Sequence, residues 1–242
     1  MKHGKGVLNY VTVGITSLGL MTALPSLALA QDSSQKEKTQ EAHKPAQKDG
    51  QKTDAKQEET KKTEPVTAGS IAPDFTLPDL SGKTWKLSDL TKSGKTVVLM
   101  WFNPDCPYVV KHFTNNHSTF NDIVKNYSDK GVVLLAINSG APGKQGAGLE
   151  RNKKAVDDWK INFPVLLDES GNTGRAYSAK RTPEMFVINK DGYIVYHGAI
   201  DDDAGTEKPG KTNYVTSALD ALLAGKEVQT KTSRPYGCTV KY

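Results

Sequence analysis

Residues Thr96 to Phe102 form an unbroken apolar run that stops abruptly at Asn103-Pro-Asp-Cys-Pro107. A strand without polar alternation is buried on both faces, so it must lie inside a sheet covered above and below. From Pro107 the spacing changes to three and four. Val110, Phe113, His117, Phe120, Val124 and Tyr127 predict one helix.

The rest of the chain repeats this alternation. Ala72 to Leu77 and Thr84 to Leu87 predict a hairpin around Asp79-Leu-Ser-Gly82, with a helical turn at Ser88. Val132 to Ile137 predicts a second buried strand, and the Gly-rich stretch Asn138 to Gly148 a flexible loop. A helix over Glu150 to Lys160, a strand over Phe163 to Leu167 and a short helix over Asn172 to Ala179 follow. Met185 to Asn189 and Ile194 to His197 predict a hairpin around Lys190-Asp-Gly192. Asn213 to Ala224 predicts a last, amphipathic helix with Val215, Ala218, Leu219 and Leu222 on one face and Gly225 as its cap. The expected fold class is α/β: a central mixed sheet flanked by helices, with an N-terminal β-hairpin extension.

Composition restricts that fold to residues 67–242. Lys2 and Lys5 precede an apolar stretch from Val7 to Leu29 that contains Pro25 and ends Ala28-Leu-Ala30. This pattern predicts a cleaved secretory signal peptide over 1–30, hence a periplasmic or extracellular protein. An uncleaved anchor is the competing reading. Gln31 to Pro65 has no Leu, Ile, Val, Phe, Trp or Tyr, so 31–66 is expected to be a disordered polar linker. No later stretch is apolar for long enough to span a bilayer. The net charge of +5 falls to +3 without Lys2 and Lys5, and no basic cluster is interleaved with aromatics. Nucleic acid binding is not indicated. The composition does not bear on oligomeric state.

Chemistry centres on the two cysteines, Cys106 and Cys238. Cys106 stands where the buried strand meets the helix. Pro107 suits the first helical position, and the helix N-terminus favours a thiolate. Asp105 opposes ionisation by repulsion, whereas Lys111 and His112 offset it if they face the sulfur. The plainer reading is an inert buried cysteine. His117 and His197 lack metal-site spacing, and Asp201 to Asp203 read as a solvated acidic turn. No metal or cofactor is expected.

The segments Ala72-Pro-Asp-Phe-Thr-Leu-Pro-Asp-Leu-Ser-Gly-Lys83 and Thr96-Val-Val-Leu-Met-Trp-Phe-Asn-Pro-Asp-Cys-Pro-Tyr-Val109 resemble the redoxin (AhpC/TSA) branch of the thioredoxin-like superfamily. Arg181-Thr-Pro-Glu-Met-Phe-Val-Ile-Asn-Lys-Asp-Gly192 resembles its cis-proline strand and hairpin. Leu219-Asp-Ala-Leu-Leu-Ala-Gly-Lys226 and Arg234-Pro-Tyr-Gly-Cys-Thr-Val-Lys-Tyr242 resemble a peroxiredoxin-like subgroup pairing Cys-Pro-Tyr-Val with a C-terminal Gly-Cys. The resemblance implies a cis Pro183 facing Cys106, with the Thr182 backbone available to a substrate. Asn103, Pro107, Thr182 and Pro183 would orient that substrate.

Two departures narrow the chemistry. Val109 stands where a Cys-x-x-Cys dithiol has its second cysteine, and Asn103 where peroxidases of this branch carry a hydroxyl. The expected enzyme is a thiol-disulfide oxidoreductase or a peroxiredoxin-like peroxidase. Cys106 would attack a disulfide or peroxide, Cys238 would resolve the intermediate as a Cys106–Cys238 disulfide, and an external thiol would reduce it. The alternative is a non-catalytic binding module with that disulfide as a permanent staple.

Overall fold

The computed structural model describes residues 66–242. The expected leader, and the expected linker apart from Val66, lie outside the described residues. No helix of the described residues is long and apolar enough to cross a membrane.

The chain opens with β1 (Thr76–Pro78) and β2 (Thr84–Lys86), an antiparallel pair, then α1 (Leu87–Lys92). It continues through β3 (Thr96–Trp101), α2 (Pro107–Val110), α3 (Thr119–Tyr127) and β4 (Val132–Asn138). Next come α4 (Leu149–Trp159), β5 (Val165–Leu167), α5 (Asn172–Ala176), β6 (Arg181–Thr182) and β7 (Glu184–Ile188). The last elements are β8 (Ile194–Gly198), α6 (Tyr214–Leu223) and β9 (Cys238–Thr239).

The apolar run predicted to be central is central. The main sheet has the order β5-β4-β3-β7-β8. β3 runs parallel to β4 and antiparallel to β7, so the sheet is mixed. Every residue of β3 is buried, and Val97 to Trp101 have no exposed surface. Successive side chains feed two separate clusters. Val98, Met100 and Phe102 pack with Phe120, Ile123 and Val215 on one face. Val97, Leu99 and Trp101 pack with Phe75, Tyr177 and Phe186 on the other. Burying each large apolar side chain contributes about 1.5–3 kcal/mol, which gives this strand one register only.

The single helix expected over 107–127 is two. α2 stops after one turn and α3 begins at Thr119. Asn115 and Asn116 have φ of 53° and 65°, the left-handed conformation asparagine tolerates best. The Thr114 hydroxyl also donates back to the Val110 carbonyl at 3.1 Å. The apolar spacing survives because both pieces pack on the same side of the sheet. Phe113, in the break, stacks on Trp159 at 4.8 Å.

The Gly-rich stretch after β4 is not a loose loop. Asn138 Nδ2 donates to Gly146 O (2.7 Å) and Asn152 Oδ1 (2.9 Å), and Asn152 Nδ2 donates to Gly148 O (2.7 Å). Two buried amides therefore satisfy the backbone of the turn, which composition alone does not reveal.

At the other end, Asn213 caps α6 by accepting from Thr216 N at 3.0 Å. Gly225, at φ 65°, closes it: Gly225 N donates to Leu222 O and Lys226 N to Ala221 O. Because α6 supplies Val215, Ala218 and Leu219 to the core, its cap bears on global stability. Asn213→Ala is expected to cost about 1 kcal/mol, read as a lower urea midpoint at unchanged slope.

Candidate active site

The site is assembled by three segments that meet at the C-terminal end of β3. Cys106 is the N-cap of α2, with Pro107 in its first turn, and is 1% exposed. Its Sγ donates to the carbonyl oxygen of Thr182 at 2.9 Å. Thr182 precedes a cis peptide bond to Pro183, the geometry that the family resemblance implies. The tail then returns as β9, antiparallel to β6, with Cys238 opposite Thr182 and Thr239 opposite Arg181. Neither short strand is visible in the sequence, because two-residue strands carry no periodicity.

This pairing brings the cysteines together. The Cys238 side chain lies near enough to that of Cys106 to interact with it, and both are free thiols in this structure. The two cysteines of the expected disulfide are thus neighbours. Burial and the interaction with Cys106 push the Cys238 thiol up to about 11, against the opposing pull of Lys241 and Arg181. Cys238 therefore stays protonated at neutral pH.

Gly237 permits the approach. Its φ is 114°, and a Cβ there would overlap Thr182 O. Gly237→Ala is expected to loosen β9 from β6. Strain of this kind costs about 1–3 kcal/mol, so the open state should gain about fivefold or more. The readout is faster alkylation of Cys106 by iodoacetamide in the folded protein.

The residues around the pair are placed differently from expectation. Asp105 does not face the thiol as an unpaired charge. Arg151 of α4 meets it at 2.7 Å, and Arg151 also donates to Pro104 O. The sequence could not supply this pairing, since the two residues are 46 positions apart. Asn103 is committed to the loop: its Oδ1 accepts from Asp105 N (2.8 Å) and its Nδ2 donates to Gln145 O (3.0 Å). Gly146 lies so close that a Cβ would overlap Asn103 Oδ1. The amide is a brace for the cysteine turn. Thr182 Oγ1, by contrast, is buried with no protein partner.

Lys111 and His112 form contacts with a second cluster. Lys111 Nζ donates to Asp203 O (2.5 Å), lies 3.9 Å from Asp201 and sits over the Tyr236 ring at 4.6 Å. His112 bonds to Thr119 Oγ1 through Nδ1 and to Tyr236 OH through Nε2. The Tyr236 hydroxyl donates to Asp201 at 2.6 Å. Asp201 is 3% exposed and is not part of a solvated turn. It fixes Tyr236, two residues before Cys238, onto the segment that follows Cys106. The electrostatic support that the sequence suggests for Cys106 is thus mechanical support for the tail. With α2 a single turn, the helix field at Cys106 is also shorter than expected.

A third missed group underpins the cis proline. Glu184, 2% exposed, accepts from Lys180 N (2.7 Å) and Arg181 N (2.8 Å) through one oxygen and bonds to His197 through the other (2.8 Å). It holds the β6 backbone in position from behind.

Burial drives the His112 imidazole down to about 3, helped by the Lys111 charge. It is neutral at pH 7, so its 4.0 Å approach to Asp201 is not an ion pair. The unfolded chain, with the ordinary value of 6.5, binds the proton more tightly. His112 therefore leaves stability intact above pH 6.5 and erodes it progressively as pH falls toward about 3. At 1.36 kcal/mol per unit, the ceiling is about 5 kcal/mol. His112→Gln is expected to flatten the acid limb of stability against pH, measured by urea titration.

Known proteins resemble the chain along this whole architecture. The AhpC/TSA family model matches residues 68–197, more than half of the chain. Thiol-disulfide oxidoreductase ResA of Bacillus subtilis (strain 168) is 31% identical over 161 residues, 62% of this chain and 81% of that protein. A crystal structure of an uncharacterized conserved protein from Geobacillus kaustophilus superposes with a TM-score of 0.65 at 30% identity, covering 73% of this chain and 93% of that one. A hypothetical protein from Sinorhizobium meliloti 1021 gives a TM-score of 0.63 at 30% identity, covering 74% and 96%. With its mixed sheet, cis proline and cysteine at the strand-to-helix turn, the chain belongs to the AhpC/TSA family, in the redoxin branch of the thioredoxin-like superfamily.

Proposed function

We propose that the chain is an exported thiol-disulfide oxidoreductase whose redox pair is Cys106 and Cys238. One observation carries the reading: β9 places Cys238 opposite Thr182, whose carbonyl accepts from the Cys106 thiol, so the two cysteines interact. The relatedness to ResA supports the reaction class. The signal pattern at 1–30 supports export.

The reaction follows from the two thiols. The Cys106 thiolate attacks one sulfur of a partner disulfide, and the other sulfur leaves as a thiolate. Cys238 surrenders its proton and attacks Cys106 Sγ, which expels the partner's first sulfur. The partner gains two electrons as two thiols, and the protein holds a Cys106–Cys238 disulfide. The high affinity of Cys238 for its proton fits the resolving role. It is a poor first nucleophile at neutral pH and acts once it is delivered to a mixed disulfide.

Peroxide ranks second as oxidant. Asn103 is engaged by Gln145 and Asp105, so its amide is not free to orient a hydroperoxide. A permanent staple ranks lower again, because Cys238 is partly exposed.

The test uses the reduced protein and hydroxyethyl disulfide, followed by intact mass. Wild type is expected to lose two hydrogens and form the internal bridge. Cys238→Ser should accumulate a one-to-one adduct on Cys106, and Cys106→Ser should fall to the background rate. A reduction potential of the pair above about −300 mV is expected for a turnover disulfide. A lower value, with activity retained in both variants, overturns the reading.

A further inference from the structure

The reductive half of the cycle needs a thiol to reach the oxidised pair, and the structure restricts where it enters. In disulfide exchange the accessible sulfur is attacked, and the better leaving group departs. Cys106 is 1% exposed, whereas Cys238 is partly exposed. The β6 edge, where an extended peptide would add as a strand, is already occupied by the chain's own β9. A protein reductant docking by strand addition therefore finds the edge closed. What remains open, at Gly237 immediately before Cys238, is a groove of about 680 Å³ between Tyr108 of α2 and the tail.

The groove has one sign of charge. Lys180, Arg181 and Arg234 line it, with Tyr108, Pro235 and Tyr236 as its apolar floor. No Asp or Glu is among its lining residues. The nearby carboxylates lie outside this lining, although the Asp203 charge reaches Tyr236. Glu184 is buried and holds the backbone of Lys180 and Arg181, and Asp203 accepts from Gly205 N. Arg181 also bonds to Gly237 O, and its charge, with that of Lys241, acts on the Cys238 sulfur. A concave surface lined by three cations and no carboxylate concentrates anions.

We infer that this groove is the docking site of an anionic low-molecular-weight thiol, one bearing a carboxylate, which reduces the pair by attacking Cys238. The inference rests on the Cys106–Cys238 disulfide proposed above. The thiolate RS⁻ forms a bond to Cys238 Sγ, the Cys106–Cys238 bond breaks, and Cys106 leaves as a thiolate. A second RS⁻ attacks the sulfur of the bound thiol. RSSR departs, and Cys238 leaves as a thiolate and takes up a proton. Two electrons pass from two thiols to the pair. Attack at Cys106 would instead expel Cys238, whose hold on its proton makes it the poorer leaving group.

The test uses the full chain, oxidised and confirmed by mass to carry the bridge. Its reduction is timed with 3-mercaptopropionate, 2-mercaptoethanol and cysteamine, each rate divided by the thiolate concentration. The expected order is anion, neutral, cation, with at least about a tenfold spread between the extremes at low salt. At about 1 M salt the Debye length is about 3 Å, and the rates should converge. The Lys180→Gln/Arg234→Gln protein should lose most of the spread while still reacting with 2-mercaptoethanol. The trapped mixed disulfide should map to Cys238. Equal rates for the three thiols, a spread that survives the double variant, or an adduct on Cys106 would each overturn the groove assignment and leave disulfide exchange standing. Failure to form the bridge at all would sink the redox-pair reading itself.

Discussion

The contact on which the site depends is a backbone one. β6 offers two residues to the returning tail, and β9 takes them in register, so that Cys238 stands opposite Thr182. The Thr182 carbonyl then also receives the Cys106 sulfur at 2.9 Å. One residue thus locates both cysteines, the first through its oxygen and the second through strand pairing. Everything around it keeps that residue still. Glu184 holds the preceding N–H groups, the buried β7 continues from the cis Pro183, and Gly237 lets the tail backbone come close enough to pair.

Such a short ladder would not hold a tail by itself, since two-residue strands form few hydrogen bonds and each adds only about 1 kcal/mol net. The tail is held at both ends instead. On one side Tyr236 sits in the buried Lys111–Asp201 cluster. On the other, Tyr242 OH donates to Ala179 O at 2.8 Å while its ring lies under Arg175. The Ala141 N–H to Lys241 O bond adds a backbone tie to the loop after β4. Cys238 lies between these anchors. That arrangement keeps the second thiol within reach of the first while sparing it burial as deep as that of Cys106.

The core and the placement of Cys106 were legible in the chain because they depend on local pattern. An all-apolar run must be a central strand, and β3 is one. A cysteine followed by proline after such a run must sit at a helix start, and Cys106 does. The 107–127 helix misled because periodicity measures which side chains are buried. Two short helices on the same face of a sheet satisfy it as well as one long helix does. The break was signalled by Asn115-Asn116, a pair tolerant of left-handed backbone. What was not legible is what distance in sequence hides: Arg151 on Asp105, Asp201 beneath Tyr236, Glu184 behind β6. Each is a charged residue of a common type, and only the fold gives it a partner.

That division explains the reassignment of Lys111 and His112. Read along the chain, a lysine and a histidine one turn past a cysteine suggest help with ionising the thiol. Read in three dimensions, they are buried against Tyr236, with the imidazole held neutral by desolvation. A buried ion pair such as Lys111–Asp201 returns little net stability, because desolvation offsets most of the attraction. What it supplies is a fixed polar seat that only a hydroxyl at the position of Tyr236 completes. The charge near Cys106 therefore serves the second cysteine. In a chain without a Cys-x-x-Cys pair, the second thiol comes from far along the sequence. Here that thiol arrives two residues after a phenol seated on the segment that starts at Cys106.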